Sequence, residues 1–220
     1  GQPRGQARAA AAAAAARRPS AEVKALLLRI SAIVFLTTAV SSIVFQSTSF
    51  ALPKVLAERL GGFAVSATVI GQLAFVVFAV ASVGQLIVGH FLDRLGPRTV
   101  FMTAAAIQVA FFAMMPGLVD WAALLCAMVF MLAAFGQIPI NDYLIGRLAD
   151  GEHRARIYGV RYVVSFTVLA ASLPLIAFIY ESWGFDALFR VLALSAAVIL
   201  AAVAMLPRKL PTPQEAAVGA

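Results

Sequence analysis

The sequence predicts an all-α membrane protein of six transmembrane helices, and three observations point to it. First, hydrophobic residues make up 62% of the 220-residue chain and charged residues only 12%, where ordinary soluble domains carry about 25% charged residues. A soluble fold of this size leaves much of its surface in water and could not hide so much apolar area. Second, the apolar residues come in several long runs near the length, about 20 residues, that crosses a hydrocarbon core. The runs are apolar on all sides, whereas barrel strands alternate over about ten residues. Lipid offers the backbone no hydrogen bonds, so the runs read as spanning helices. Third, the positive charges fall on one side of the spans, as counted below.

Residues 1–24 read as a cytoplasmic linker or tail. An alanine tract at residues 9–16 lies between Arg8 and Arg17-Arg18, and it is too short and small-sided to span. Helix 1 is expected over 25–52, ending near Pro53, where a proline removes a backbone donor. Lys54, Glu58, Arg59 and Gly61-Gly62 then form a loop before helix 2 at 64–90. The break from Asp93 to Arg98 leads to helix 3 at 99–116, and Pro116-Gly117 turns the chain into helix 4 at 121–146. A polar connection from Arg147 to Arg156 precedes helix 5 at 157–180. Glu181-Ser182-Trp183-Gly184 reads as the next turn, helix 6 covers 187–206, and residues 208–220 form a cytoplasmic C-terminal tail. The membrane domain as a whole spans 25–207.

On this topology fourteen of the seventeen Lys and Arg residues lie on one face, and only Lys54, Arg59 and Arg190 on the other. That is a positive-inside pattern, which puts both termini in the cytoplasm and requires an even number of spans. The same placement accounts for the net charge of +7, so the basic balance sets topology and no nucleic-acid partner is expected. The expected location is a bacterial inner or plasma membrane, with lipid as the surrounding partner. One cysteine, Cys126, excludes an intrachain disulfide and a cysteine-based metal site. The first residue is Gly and no signal peptide is visible, so the chain reads as a piece of a longer protein.

The segment Gly89-His90-Phe91-Leu92-Asp93-Arg94-Leu95-Gly96-Pro97-Arg98 resembles the signature loop of the major facilitator superfamily. Gly89, Asp93, Arg94, Gly96 and Arg98 match, and Pro97 replaces the first of two closing basic residues. This loop is usually more degenerate in the second half of such transporters, so the mismatch points to the C-terminal half. The basic stretch before helix 1 resembles their central cytoplasmic linker, and Trp183-Gly184-Phe185 with Phe189 resembles the aromatic turn opening the last helix of a half. The resemblance implies a half built of two three-helix inverted repeats, packed around a midplane site against an N-terminal six-helix half missing from this chain. It implies that Asp93 docks against the start of helix 5, near Arg154, Arg156 and Arg161, as a cytoplasmic gate. Gly89 and Gly96 would allow close approach and turning there. A static surface charge is the other reading of Asp93.

Thr38, Ser42, Gln46 and Ser49 share a stripe of helix 1, at spacings of four, four and three. Polar groups facing lipid are expensive, so the stripe faces either a watery cavity or a neighbouring helix. Gln137 and Asn141 share a face of helix 4 with Pro139 between them, and Gln72 of helix 2 belongs with these cavity candidates. Asp142, near the cytoplasmic end, is read first as a salt-bridge partner of Arg147 or Arg161. Helix 6 has Ser195 as its only polar side chain between Val191 and Leu206, which fits a peripheral, lipid-facing position.

The expected function is therefore half of a secondary active transporter, moving a small-molecule substrate by alternating access, with no cofactor, no metal and no catalysis. A non-transporting membrane scaffold and an intramembrane enzyme are the other classes. The enzyme lacks support because no Gly-x-Ser-x-Gly is present and His90 and His153 are far apart. The weakly polar lining favours an uncharged or amphipathic solute.

Overall fold

The computed structural model describes residues 21–62, 66–148 and 154–207. Most of the segments read as N-terminal linker and C-terminal tail, and part of the Arg147–Arg156 connection, lie outside the described residues. The described chain forms five helices: α1 (Ala21–Arg59), α2 (Ala67–Leu95), α3 (Pro97–Met114), α4 (Asp120–Leu148) and α5 (Arg154–Ala204). All five are long and apolar enough to cross a membrane.

The helix boundaries shift by a few residues throughout and depart most from expectation in three places. α1 begins at Ala21, inside the segment read as linker, and runs through Pro53 to Arg59. Proline costs the helix one hydrogen bond, to the Ser49 carbonyl. Leu52, Val55 and Leu56 around it are almost fully buried, so packing holds the turn that propensity would break. The true stop is Gly61-Gly62. α2 continues to Leu95, so Asp93 and Arg94 lie in its last turn rather than in a loop. Only Gly96 leaves the helix, at φ 78°, where its N–H caps the Leu92 carbonyl and Pro97 opens α3.

The third departure is α5. The expected helices 5 and 6 form one 51-residue element with a single non-helical residue inside, Gly184 at φ 74° and ψ −177°. A side chain there would be strained, and Gly supplies the conformation without penalty. Contacts at the two ends of the stretch after Gly184 show where it runs. Asp186 meets Arg59 at the end of α1, whereas the Ala204 carbonyl accepts from Arg98 Nη2 at the start of α3, 2.9 Å away. The stretch after Gly184 therefore runs back along α3, between opposite ends of the bundle.

α5 packs chiefly on α1 and α3, and α2 packs chiefly on α4. After the bend, Leu188, Leu192, Ala196, Ile199 and Val203 are buried at helical spacing, while Val191, Leu194 and Val198 point outward. Phe112, Phe130 and Phe189 join α3, α4 and α5 in one ring cluster, with centroids 5.0 to 6.3 Å apart. Between α2 and α4 the close approach is made by glycine. A Cβ on Gly84 would lie 2.8 Å from Leu132 Cγ, and one on Gly136 would lie 2.8 Å from Val88 Cγ2. Small residues that let helices approach are the usual packing device where lipid supplies no hydrophobic drive. Large apolar side chains such as Phe75, Leu86, Val163 and Leu194 remain more than two-thirds exposed on the outside, which water would penalise and lipid would not.

Candidate functional site: a polar cleft between α1, α4 and α5

Three helical stripes meet around one cleft of about 230 Å³. α1 contributes Thr38, Ser41, Ser42, Phe45 and Gln46, and α4 contributes Ala134, Gln137, Ile138 and Asn141. The early part of α5 adds Arg161, Tyr162, Ser165 and Phe166. Each set repeats at three- and four-residue steps, so each presents a single face to the cleft.

Hydrogen bonds fix part of this wall. The Thr38 hydroxyl donates to Asn141 Oδ1 at 3.4 Å and links α1 to α4. Gln137 Nε2 donates to Gln108 Oε1 at 2.7 Å and links α4 to α3. Both glutamines are nearly fully buried, and their second polar atoms, Gln137 Oε1 and Gln108 Nε2, have no hydrogen-bond partner among the described residues. Exchanging the two amide assignments would leave the complementary atoms orphaned, because two amides in one contact satisfy only one donor–acceptor pair. Ser41 Oγ is also buried and unpartnered among the described residues. Buried polar atoms without partners are uncommon and costly, and two of them, Ser41 Oγ and Gln137 Oε1, belong to residues that line the cleft. Ser42, by contrast, donates to the Thr38 carbonyl at 2.8 Å within its own helix.

The sequence-predicted cavity residues Thr38, Ser42, Gln46, Gln137 and Asn141 come together in this cleft. Gln72 does not; it is exposed on α2. Ser41, Ser165 and Gln108 were missed. Ser41 lies three residues from Thr38 and Ser165 four from Arg161, so helical spacing could have found both. Nothing in the sequence pairs Gln108 with Gln137.

The gate candidates are dispersed. Asp93 and Arg94 are exposed at the end of α2, and Asp93 makes no ion pair among the described residues. Arg161 is ion-paired with Asp142 of α4, one of the two salt bridges read for Asp142 from the sequence, and it lines the cleft; it does not meet Asp93. Arg98 donates to the α5 terminus. The close approach expected at Gly89 is not made in this structure: a Cβ there would meet nothing within 4 Å, while Gly96 performs its turn through its positive φ. The side chains of Arg154 and Arg156 lie outside the described residues.

A second polar group, unforeseen from sequence, closes the opposite end. Arg59 pairs with Asp186 and reaches the Leu118 carbonyl at 3.5 Å. The Gly117 N–H donates to the same Asp186 oxygen at 3.3 Å, and the Gly62 N–H donates to Asp120 Oδ1 at 3.2 Å. The Tyr180 hydroxyl donates to Glu58, with Lys54 Nζ 3.6 Å above the Tyr180 ring. The end of α1, the α3–α4 turn and the α5 bend are thereby tied together.

Long apolar helices with exposed apolar outsides around an inward polar cleft fit a multi-pass membrane protein. The sequence comparison agrees: the model of the Major Facilitator Superfamily matches residues 34–219. The chain belongs to that family, and it is a multi-pass membrane protein of a transporter rather than an enzyme family. Comparison with curated proteins finds no match.

Proposed function

We propose that the chain is one half of a secondary active transporter, moving a small solute through the α1–α4–α5 cleft by alternating access. One observation carries this reading: a polar cleft holding unpartnered buried groups, enclosed by helices whose outer faces are apolar. Such groups are expensive in a membrane unless they meet water or a solute. The cleft's 230 Å³ falls below the about 300–1,000 Å³ of drug-sized sites. That supports a site completed by a second, N-terminal six-helix half.

We read α5 as two crossings joined at Gly184, which makes six spans in an arrangement of two three-helix inverted repeats. The stretches before and after Gly184 hold 30 and 20 residues, or about 45 and 30 Å of helix, each enough to cross. The end carrying Gly96, Arg98 and Ala204 is then cytoplasmic, in line with the Lys and Arg asymmetry. Asp93 at that end is free to dock against the basic start of α5 when the cytoplasmic side closes.

The test is transport by the protein expressed from its complete coding sequence and reconstituted in liposomes. Vesicles are incubated with a mixed pool of small metabolites, washed, and their contents read by mass spectrometry. The reading expects at least one solute to accumulate over empty liposomes and to drop about tenfold or more with Gln137→Ala. Accumulation unaffected by Gln137→Ala and Asn141→Ala together would place the solute path elsewhere.

A further inference from the structure

Resting on the reading of the cleft as the solute path, we infer that it selects a solute bearing a carboxylate, which Arg161 holds in exchange for Asp142. Among the described residues, Arg161 is the one Lys or Arg in the lining, and no carboxylate lines the cleft. Its side chain is only 15% exposed, and a cation buried to that degree needs a counter-charge. Asp142 supplies it from outside the lining, with a side chain 46% exposed, and engages Nη1. A guanidinium carries five N–H donors in a planar fork that matches a carboxylate. An incoming carboxylate can therefore take over from Asp142, whose engaged Oδ1 is buried although its side chain as a whole is 46% exposed. Asp142 regains its hydration as it leaves, so the exchange conserves the ion pair. A cationic solute would meet uncompensated repulsion at the same place.

The orphaned groups are compatible with the same class. Ser41 Oγ, buried and unpartnered among the described residues, offers a hydroxyl to a carboxylate oxygen. The Gln137 amide, one polar atom of which is equally buried and unpartnered among the described residues, can pair with a hydroxyl or amine elsewhere on the solute. Phe45 and Phe166 provide apolar walls for its body. The uncharged or amphipathic solute suggested by the spans alone narrows to an organic carboxylate, because Arg161 lines the cleft.

The experiment places a cysteine at Ser165 in the full-length protein, in phosphatidylcholine nanodiscs. The unmodified protein, whose Cys126 is buried, is the background. Modification rates are compared for the anionic sulfonatoethyl and the cationic trimethylammonioethyl methanethiosulfonates, each normalised to free thiol. The anionic reagent is expected to lead about threefold or more. Arg161→Gln should erase that lead, Arg161→Lys should keep it, and Asp142→Asn should raise it. A merely structural ion pair would move both single variants alike. Benzoate should protect the cysteine at a concentration about tenfold below that of benzamide, with benzylamine weakest.

Equal protection by benzoate and benzamide, or a charge preference untouched by Arg161→Gln, overturns the inference and leaves the cleft as solute path. A cysteine unreactive to both reagents overturns the inference and the solute path together. Protection by phosphatidylglycerol nanodiscs but not by benzoate assigns Arg161 to a lipid headgroup and overturns the solute version.

Discussion

Two arginine–aspartate pairs sit at opposite ends of the molecule with nearly the same burial. In both, the arginine side chain is 15% exposed, and the aspartates are 42% and 46% exposed. Their surroundings differ. Asp186 also accepts from the Gly117 backbone, and Arg59 also reaches the Leu118 carbonyl, so this pair is woven into two turns. Arg161–Asp142 joins α4 to α5 beside the cleft. The same two side chains thus make a tie at one end and an exchangeable counter-charge at the other. What separates the roles is how many backbone groups share the pair, since a network fixes its geometry while an isolated pair gains little over water.

This contrast can be broken by mutation. Arg59→Ala should lower stability by about 1–3 kcal/mol, because it leaves a partly buried carboxylate and a carbonyl without their cation. Arg161→Ala should cost less, about 0–1 kcal/mol, since among the described residues no backbone group shares the Arg161–Asp142 pair. Unfolding of the detergent-solubilised protein, followed by helicity, reads both, and equal losses would erase the distinction. The glycines sharpen it. Gly136→Ala forces a methyl to 2.8 Å from Val88 Cγ2 and should cost about 1–3 kcal/mol through overpacking. Gly89→Ala meets nothing within 4 Å and should be neutral, or stabilising by up to about 1 kcal/mol. If Gly89→Ala folds well yet stops transport, the close approach expected there belongs to the other access state. Asp93→Asn should then lower transport while expression stays level. The smallest effect is expected at Gln72→Ala, which should leave transport unchanged, because Gln72 is exposed away from the cleft.

Much of this was legible in the sequence, and the limits follow from what a one-dimensional pattern contains. Apolar run length and Lys/Arg placement gave the helical membrane class, because the bilayer sets both. The stripe Thr38–Ser42–Gln46 and the Gln137–Asn141 pair were readable because helical periodicity is local. Which stripes face one another depends on packing, and no local signal reports it. Arg59 and Asp186, 127 residues apart, are joined only by the reversal at Gly184. Pro53 misled for the opposite reason: its local penalty is real, but buried Leu52, Val55 and Leu56 outweigh it. The Arg161–Asp142 pair was readable from the sequence as one of two partners for Asp142, whereas the place of Arg161 beside Ser165 in the cleft lining depends on packing.

The most direct test asks whether water reaches the cleft inside the membrane. Single cysteines at Ser42 and at Leu194, the latter 69% exposed on the outer face of α5, are treated with a membrane-impermeant maleimide in native vesicles. The account predicts rapid labelling at position 42 and almost none at position 194. Labelling at 194 with position 42 protected would contradict it, because water would then bathe the outside of the bundle and be absent from its core.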